Sequence, residues 1–221
     1  MKSKFLASLL SLSAIFMGVQ GSAQADWRNP FASNCCDTSC CERDWSFEIR
    51  GAAFLPLNSD LSDIYDSGWP TLEFEGTYDI TKNVLLCGDD LLAWVNVGWT
   101  PECGNTKEWG YQTKLNLVPL SAGLEYAYNI YPCLDVYVGA GVAYSWLMLK
   151  NFDGFDTHHR QRSNVGGVAK SGFRYQIWNN FFIDVFADYY YTKFNDLSTD
   201  WQSIEGNFSG FFVGGGLGYK F

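Results

Sequence analysis

The sequence predicts an all-β protein, an eight-stranded antiparallel up-and-down transmembrane barrel preceded by a cleaved signal peptide. Three observations carry that expectation. Beyond residue 25 the hydrophobic pattern has period two, and eight such stretches can be counted. No apolar run after the first twenty residues is long enough for a spanning helix. Aromatic residues, 18% of the 221 residues, gather at the ends of the alternating stretches.

The leader comes first. Lys2 and Lys4 precede an apolar stretch at residues 5–19, and Ala23-Gln24-Ala25 fits the small-x-small cleavage rule. Residues 1–25 are therefore expected to be a signal peptide and 26–44 a cysteine-rich tail, with the barrel over 45–221. Export makes disulfides available to the seven cysteines. The net charge of −9 argues against a nucleic-acid partner, because phosphate binding needs a basic face.

The strands follow in order. Residues 45–55 set Trp45, Phe47, Ile49 and Ala53 against Ser46, Glu48 and Arg50. Residues 71–78 alternate Leu72, Phe74 and Tyr78 with Glu73, Glu75 and Thr77; residues 91–100 oppose Val95, Val97 and Trp99 to Trp94, Asn96 and Gly98. In residues 111–128 the leucines change phase between Leu117 and Leu120, which predicts a bulge at Val118-Pro119. Residues 134–149 place Val136, Val138, Val142 and Trp146 opposite Tyr137, Gly139 and Gly141. The weakest alternation, at 164–175, opposes Val165 and Phe173 to Lys170 and Arg174. Residues 181–189 set Phe181, Ile183 and Val185 against Asp184 and Asp188, and residues 211–221 set Val213, Leu217 and Tyr219 against Gly214, Gly216 and Gly218.

Long polar connections (55–69, 101–109, 150–163 and 193–210) alternate with short turns at 129–133 and 176–180, the longer 79–90 linker being the exception. A membrane barrel has this asymmetry. The polar face carries Glu48, Arg50, Glu73, Glu75, Lys114, Glu125, Lys170, Arg174, Asp184 and Asp188, expected to pair inside a narrow barrel, with glycines making room. Two aromatic girdles are expected: Trp45, Tyr78, Tyr126, Tyr128, Tyr175, Phe181, Tyr219 and Phe221 at one rim, and Trp69, Trp99, Trp109, Trp146, Tyr189 and Phe211 at the other. A soluble calyx would need no such pair of belts.

The ending, Phe211 to Phe221, has a terminal aromatic with apolar residues at alternate places before it. It resembles the C-terminal assembly signal of the small outer-membrane barrel family, the OmpA transmembrane domain, OmpW and opacity-protein type, with the match on Val213, Leu217, Tyr219 and Phe221. The resemblance implies a diderm outer membrane as location, outer-membrane lipid and the barrel-insertion machinery as partners, and periplasmic termini. It implies no single activity, because members serve as anchors, adhesins, narrow pores or lipid enzymes.

With the termini so placed, strand parity puts Cys35, Cys36, Cys40, Cys41, Cys87 and Cys133 on the periplasmic side and Cys103 alone on the outer side. Adjacent cysteines fit tetrahedral zinc poorly, so disulfides are expected rather than a metal site. They either join the tail to Cys87 and Cys133 or cross-link the chain to other cysteine-rich envelope proteins, and an odd count leaves one thiol over. His158 and His159 fall beside Asp153 and Asp156 in the third long loop, where no regular element would fix a ligand set, so neither metal nor catalytic chemistry is expected of them. No cofactor is expected. The role expected is structural or interactive and not enzymatic. A narrow passive pore is the first alternative, and a surface adhesin or lipid-modifying barrel enzyme the second.

Overall fold

A computed structural model describes residues 44–58, 61, 65, 68–80, 89–105, 112–131, 133–152, 157–178, 180–194 and 207–221. Within them lie eight strands: β1 (Trp45–Pro56), β2 (Trp69–Asp79), β3 (Asp89–Asn105), β4 (Gln112–Tyr131), β5 (Leu134–Phe152), β6 (Thr157–Gln176), β7 (Phe181–Thr192) and β8 (Gly210–Lys220). Each pairs antiparallel with its sequence neighbours, and β8 pairs with β1, closing the barrel. Closure gives every strand a partner on both sides, as a strand assembly in lipid requires, and only the ends of β3 and β6 outrun β2 and β7.

Alternation fixes which way each residue points. In β7, Phe182, Asp184, Phe186, Asp188 and Tyr190 are buried while Phe181, Ile183, Val185 and Tyr191 are exposed. The same inversion runs round the barrel. Val95, Val138, Val142, Val165 and Leu217 are more than half exposed, while Arg50, Glu75 and Asp184 are at most 1% exposed. An apolar outside and a charged inside suit a barrel whose surroundings are lipid.

The expected bulge at Val118-Pro119 is absent. Leu117 faces Leu147 and Leu120 faces Tyr144 in unbroken register, and the register shift in this pair lies instead between Asn129 and Tyr131. Leu115 and Leu117 are buried inside; Leu120 and Leu124 are exposed outside. The backbone phase is constant and the polarity of the interior changes, from charged near the chain termini to apolar near the loops. The same constancy turns Lys114 outward, so it is not one of the interior charges.

Two of the expected loops are largely strand. Residues 101–105 extend β3, and residues 150–152 and 157–163 extend β5 and β6. A membrane strand needs only about 9–11 residues, whereas β3 to β6 have 17 to 20. In these extensions of β3 and β6 neither face is apolar, so the alternation that marks a strand disappears although the ladder continues.

Candidate functional site

The interior has two storeys. The charged storey is centred on Arg50, Glu75, Lys170 and Arg174. Arg50 donates from Nη1 to Glu75 Oε2 at 2.9 Å and to Glu73 Oε2 at 3.4 Å, and its Nη2 lies 3.0 Å from Asp188 Oδ2. Its guanidinium stacks 3.3 Å above the Phe186 ring. Glu75 also accepts from Lys170 Nζ and Arg174 Nη2, so all three cations meet at one carboxylate. Glu125 binds Lys170 and Arg174, and Asn96 Nδ2 donates to Glu73 and Glu75 at 3.1 and 3.2 Å. Tyr137 donates to Asp184 Oδ2 at 2.9 Å. The sequence pattern supplies nine of these charged residues, and the structure brings them together: Glu48, Arg50, Glu73, Glu75, Glu125, Lys170, Arg174, Asp184 and Asp188. Near the terminal rim Lys220 lies 3.7 Å from Asp135.

Glycine makes the space. A Cβ on Gly216 would meet Glu48 Oε1 and, at 3.0 Å, Arg50 Cγ. Trp94 lies against Gly123 and Gly141, where a Cβ would come within 2.8 and 2.6 Å of its ring, and carries Lys170 Nζ 4.6 Å from that ring.

The second storey, towards the loops, is an apolar plug. Phe54 packs on Trp69 and Phe212 at 5.1 and 4.6 Å between ring centroids, and Trp69 meets Tyr65 and Phe208 at 5.6 and 6.5 Å. Phe194 packs on Phe208 at 5.3 Å. Leu61, Leu115, Leu117 and Leu147 are buried with them. Two of these residues, Leu61 and Tyr65, lie between β1 and β2 in sequence and are buried in the mouth. Tyr65 shares a hydrogen bond with Thr113 at 3.0 Å, and burial pushes its phenol up to about 12, so it holds that contact as a neutral group.

Sequence reasoning misses this plug. Trp69 is fully buried within it and is not a girdle residue. The available signal is the run of apolar residues at inward phase in one half of β4, which mimics a phase slip when polarity alone is followed.

The terminal-end belt is as expected: Trp45, Tyr78, Tyr126, Tyr128, Tyr175, Phe181 and Phe221 are exposed, and half-buried Tyr219 packs on Phe181 and Phe221 at 4.9 and 5.0 Å. At the loop end Trp99 and Phe211 are exposed, Trp146 and Tyr189 half-buried, and Trp109 lies outside the described residues.

His158 and His159 are on β6, opposite Asn151 and Lys150, which corrects their expected place in a loop. Regular pairing has simply continued past the apolar band. His159 is exposed, and no group of three His, Cys, Asp or Glu among the described residues is placed to hold a metal ion. Cys103, exposed on β3, and Cys133, half-buried in the β4–β5 turn at φ 72°, lie at opposite ends of the barrel. The signal peptide, Cys35, Cys36, Cys40, Cys41 and Cys87 lie outside the described residues. Val213, Leu217 and Tyr219 lie on β8 and Phe221 directly follows it, with Leu217 paired to Ile49 and Ile183.

No protein-family profile and no curated protein matches the chain. Solved structures do. Neisserial surface protein A is similar at 15% identity, over 80% of this chain and 97% of its own, with a TM-score of 0.57. A major outer membrane protein from Thermus thermophilus is 16% identical over 81% and 100%, TM-score 0.54. The outer membrane protein OprG from Pseudomonas aeruginosa is 15% identical over 81% and 97%, TM-score 0.51. These likenesses place the chain in the fold of the small outer-membrane β-barrels.

Proposed function

We propose that this chain, which has the fold of the small outer-membrane barrels, is a filled barrel in the outer membrane of a diderm bacterium. It is exported by the signal peptide of residues 1–25 and inserted by the barrel machinery through Val213, Leu217, Tyr219 and Phe221. Its role is structural and interactive. The barrel anchors a set of outer hairpins on one side and the cysteine-rich tail of residues 26–44 on the other. It does no enzymatic chemistry.

The observation that carries this reading is the filled interior. A charge network knits together β1 to β7, and the aromatic plug seals the loop end. An eight-stranded barrel is just wide enough for such filling, and a filled barrel can act as an anchor without passing solutes. The apolar outer wall and the aromatic belts support the membrane location.

The tail supplies the interactive part. Cys35, Cys36, Cys40 and Cys41 are near neighbours, and vicinal cysteines bridge to different partners more readily than to each other. Non-reducing electrophoresis of isolated envelopes is expected to show this chain in species larger than the monomer that collapse on reduction. A monomer band unmoved by reductant would rule out cross-linking and leave bridging within the chain.

A further inference from the structure

We propose that the outward face of β4, β5 and β6, just beyond the apolar band at the loop end, binds the phosphate of an anionic lipid headgroup. This rests on the membrane reading above. The register puts Lys114 opposite Lys150 and Lys150 opposite His159, and all three side chains are exposed. Three successive strands thus place basic side chains in one cross-strand row. Directly opposed like charges destabilise a sheet, since their Cβ atoms lie only about 5 Å apart.

Nothing among the described residues neutralises the row. Its outward neighbours on the bilayer side are Asn116, Met148 and Gln161, Gln112 follows Lys114 on the far side, and Cys103 sits beside Lys114 on β3. Glu102, the nearby acid on β3, falls at inward phase. Glu108, Asp153 and Asp156 lie outside the described residues. In a chain of net charge −9, a row of bases is a local arrangement and not a reflection of general basicity.

Depth identifies the partner. Outward residues of β5 from Val136 to Met148 are apolar or aromatic. At about 3.3 Å per residue and a tilt of about 40°, that stretch rises about 30 Å, the thickness of a bilayer's hydrocarbon. Trp146 and Tyr144, packed edge to face at 4.6 Å, mark its upper boundary. Lys150 is the next outward residue, at the level where phosphates stand. A headgroup phosphate there answers the row in charge, while its acyl chains continue along the apolar wall below. A free anion would use only the first of these.

The test uses the full mature chain and its Lys114→Gln/Lys150→Gln variant, refolded into vesicles of phosphatidylcholine with or without phosphatidylglycerol of equal chain length. In pure phosphatidylcholine the variant should unfold at higher urea than the parent, because a repulsion is gone. With phosphatidylglycerol the order should reverse. Native mass spectrometry should show the parent retaining phosphatidylglycerol over phosphatidylcholine, and the variant losing about 25-fold of that preference, roughly fivefold per lysine. The same order of midpoints in both lipids would overturn the proposal. So would inorganic phosphate protecting the parent in phosphatidylcholine as well as phosphatidylglycerol does. Both proteins should change gel mobility on heating; if neither does, the membrane barrel itself is wrong and the proposal falls with it. If both shift and the lipid preference is absent, only the headgroup row fails.

Discussion

Replacing Arg50 with methionine is expected to lower the unfolding free energy by about 3–5 kcal/mol, because removing one partner of a buried ion pair strands the other. Arg50 is wholly buried, and it faces Glu73, Glu75 and Asp188 within 3.4 Å. Methionine fills similar space over Phe186 but leaves those carboxylates with fewer compensating donors. Lys170 and Arg174 still reach Glu75, so the deficit falls on Glu48, Glu73 and Asp188. Adding Asp188→Asn to Arg50→Met should therefore recover part of the loss, a coupling expected of residues in one network. Urea titration of tryptophan fluorescence in vesicles measures both. A single variant within about 1 kcal/mol of the parent would contradict a network that needs Arg50.

Trp69→Ala is expected to cost about 3–5 kcal/mol, the usual range for emptying a large aromatic site in a close-packed core. Trp69 is fully buried and touches rings from β1, the β1–β2 connection and the segment before β8: Phe54, Tyr65 and Phe208. No single neighbour can collapse into the space, since each is held from a different part of the mouth. Leu57 N, which donates to Ser209 O at 2.8 Å, ties two of those parts together. Trp99→Ala, outside the barrel, should cost clearly less in the same titration, because Trp99 is 53% exposed and leaves no interior cavity. Equal losses at the two sites would deny the plug its role.

Much of this fold is legible because each strand has one greasy face and one polar face, and a strand allows only two. β1, β2, β7 and β8 follow from that, and nine of the ten expected interior charges are inside. Lys114 departs from the pattern for a reason that also explains the false bulge. Polarity marks the inner face of β4 only near the chain termini, because near the loops the interior is apolar. There Leu115 and Leu117 point in and Lys114 points out. Trp69 escapes for the same reason, since an aromatic residue at a strand end fits a belt or a plug equally well. His158 and His159 look like loop residues because strands beyond the bilayer lose their alternation while keeping their hydrogen bonds. Pairing across three strands, which builds the Lys114–Lys150–His159 row, cannot be seen in a sequence until the register is known. Among the described residues Cys103 and Cys133 lie at opposite ends of the barrel, the arrangement that strand parity predicts for them.

If the barrel is filled from one end to the other, it cannot conduct. Planar-bilayer recording of the refolded chain tests this most directly. A charge network below and an aromatic plug above predict a silent membrane, with no stepwise current at any salt concentration. Discrete, reproducible openings from protein that shows the heat-dependent mobility shift would contradict the filled interior and make the chain a narrow pore.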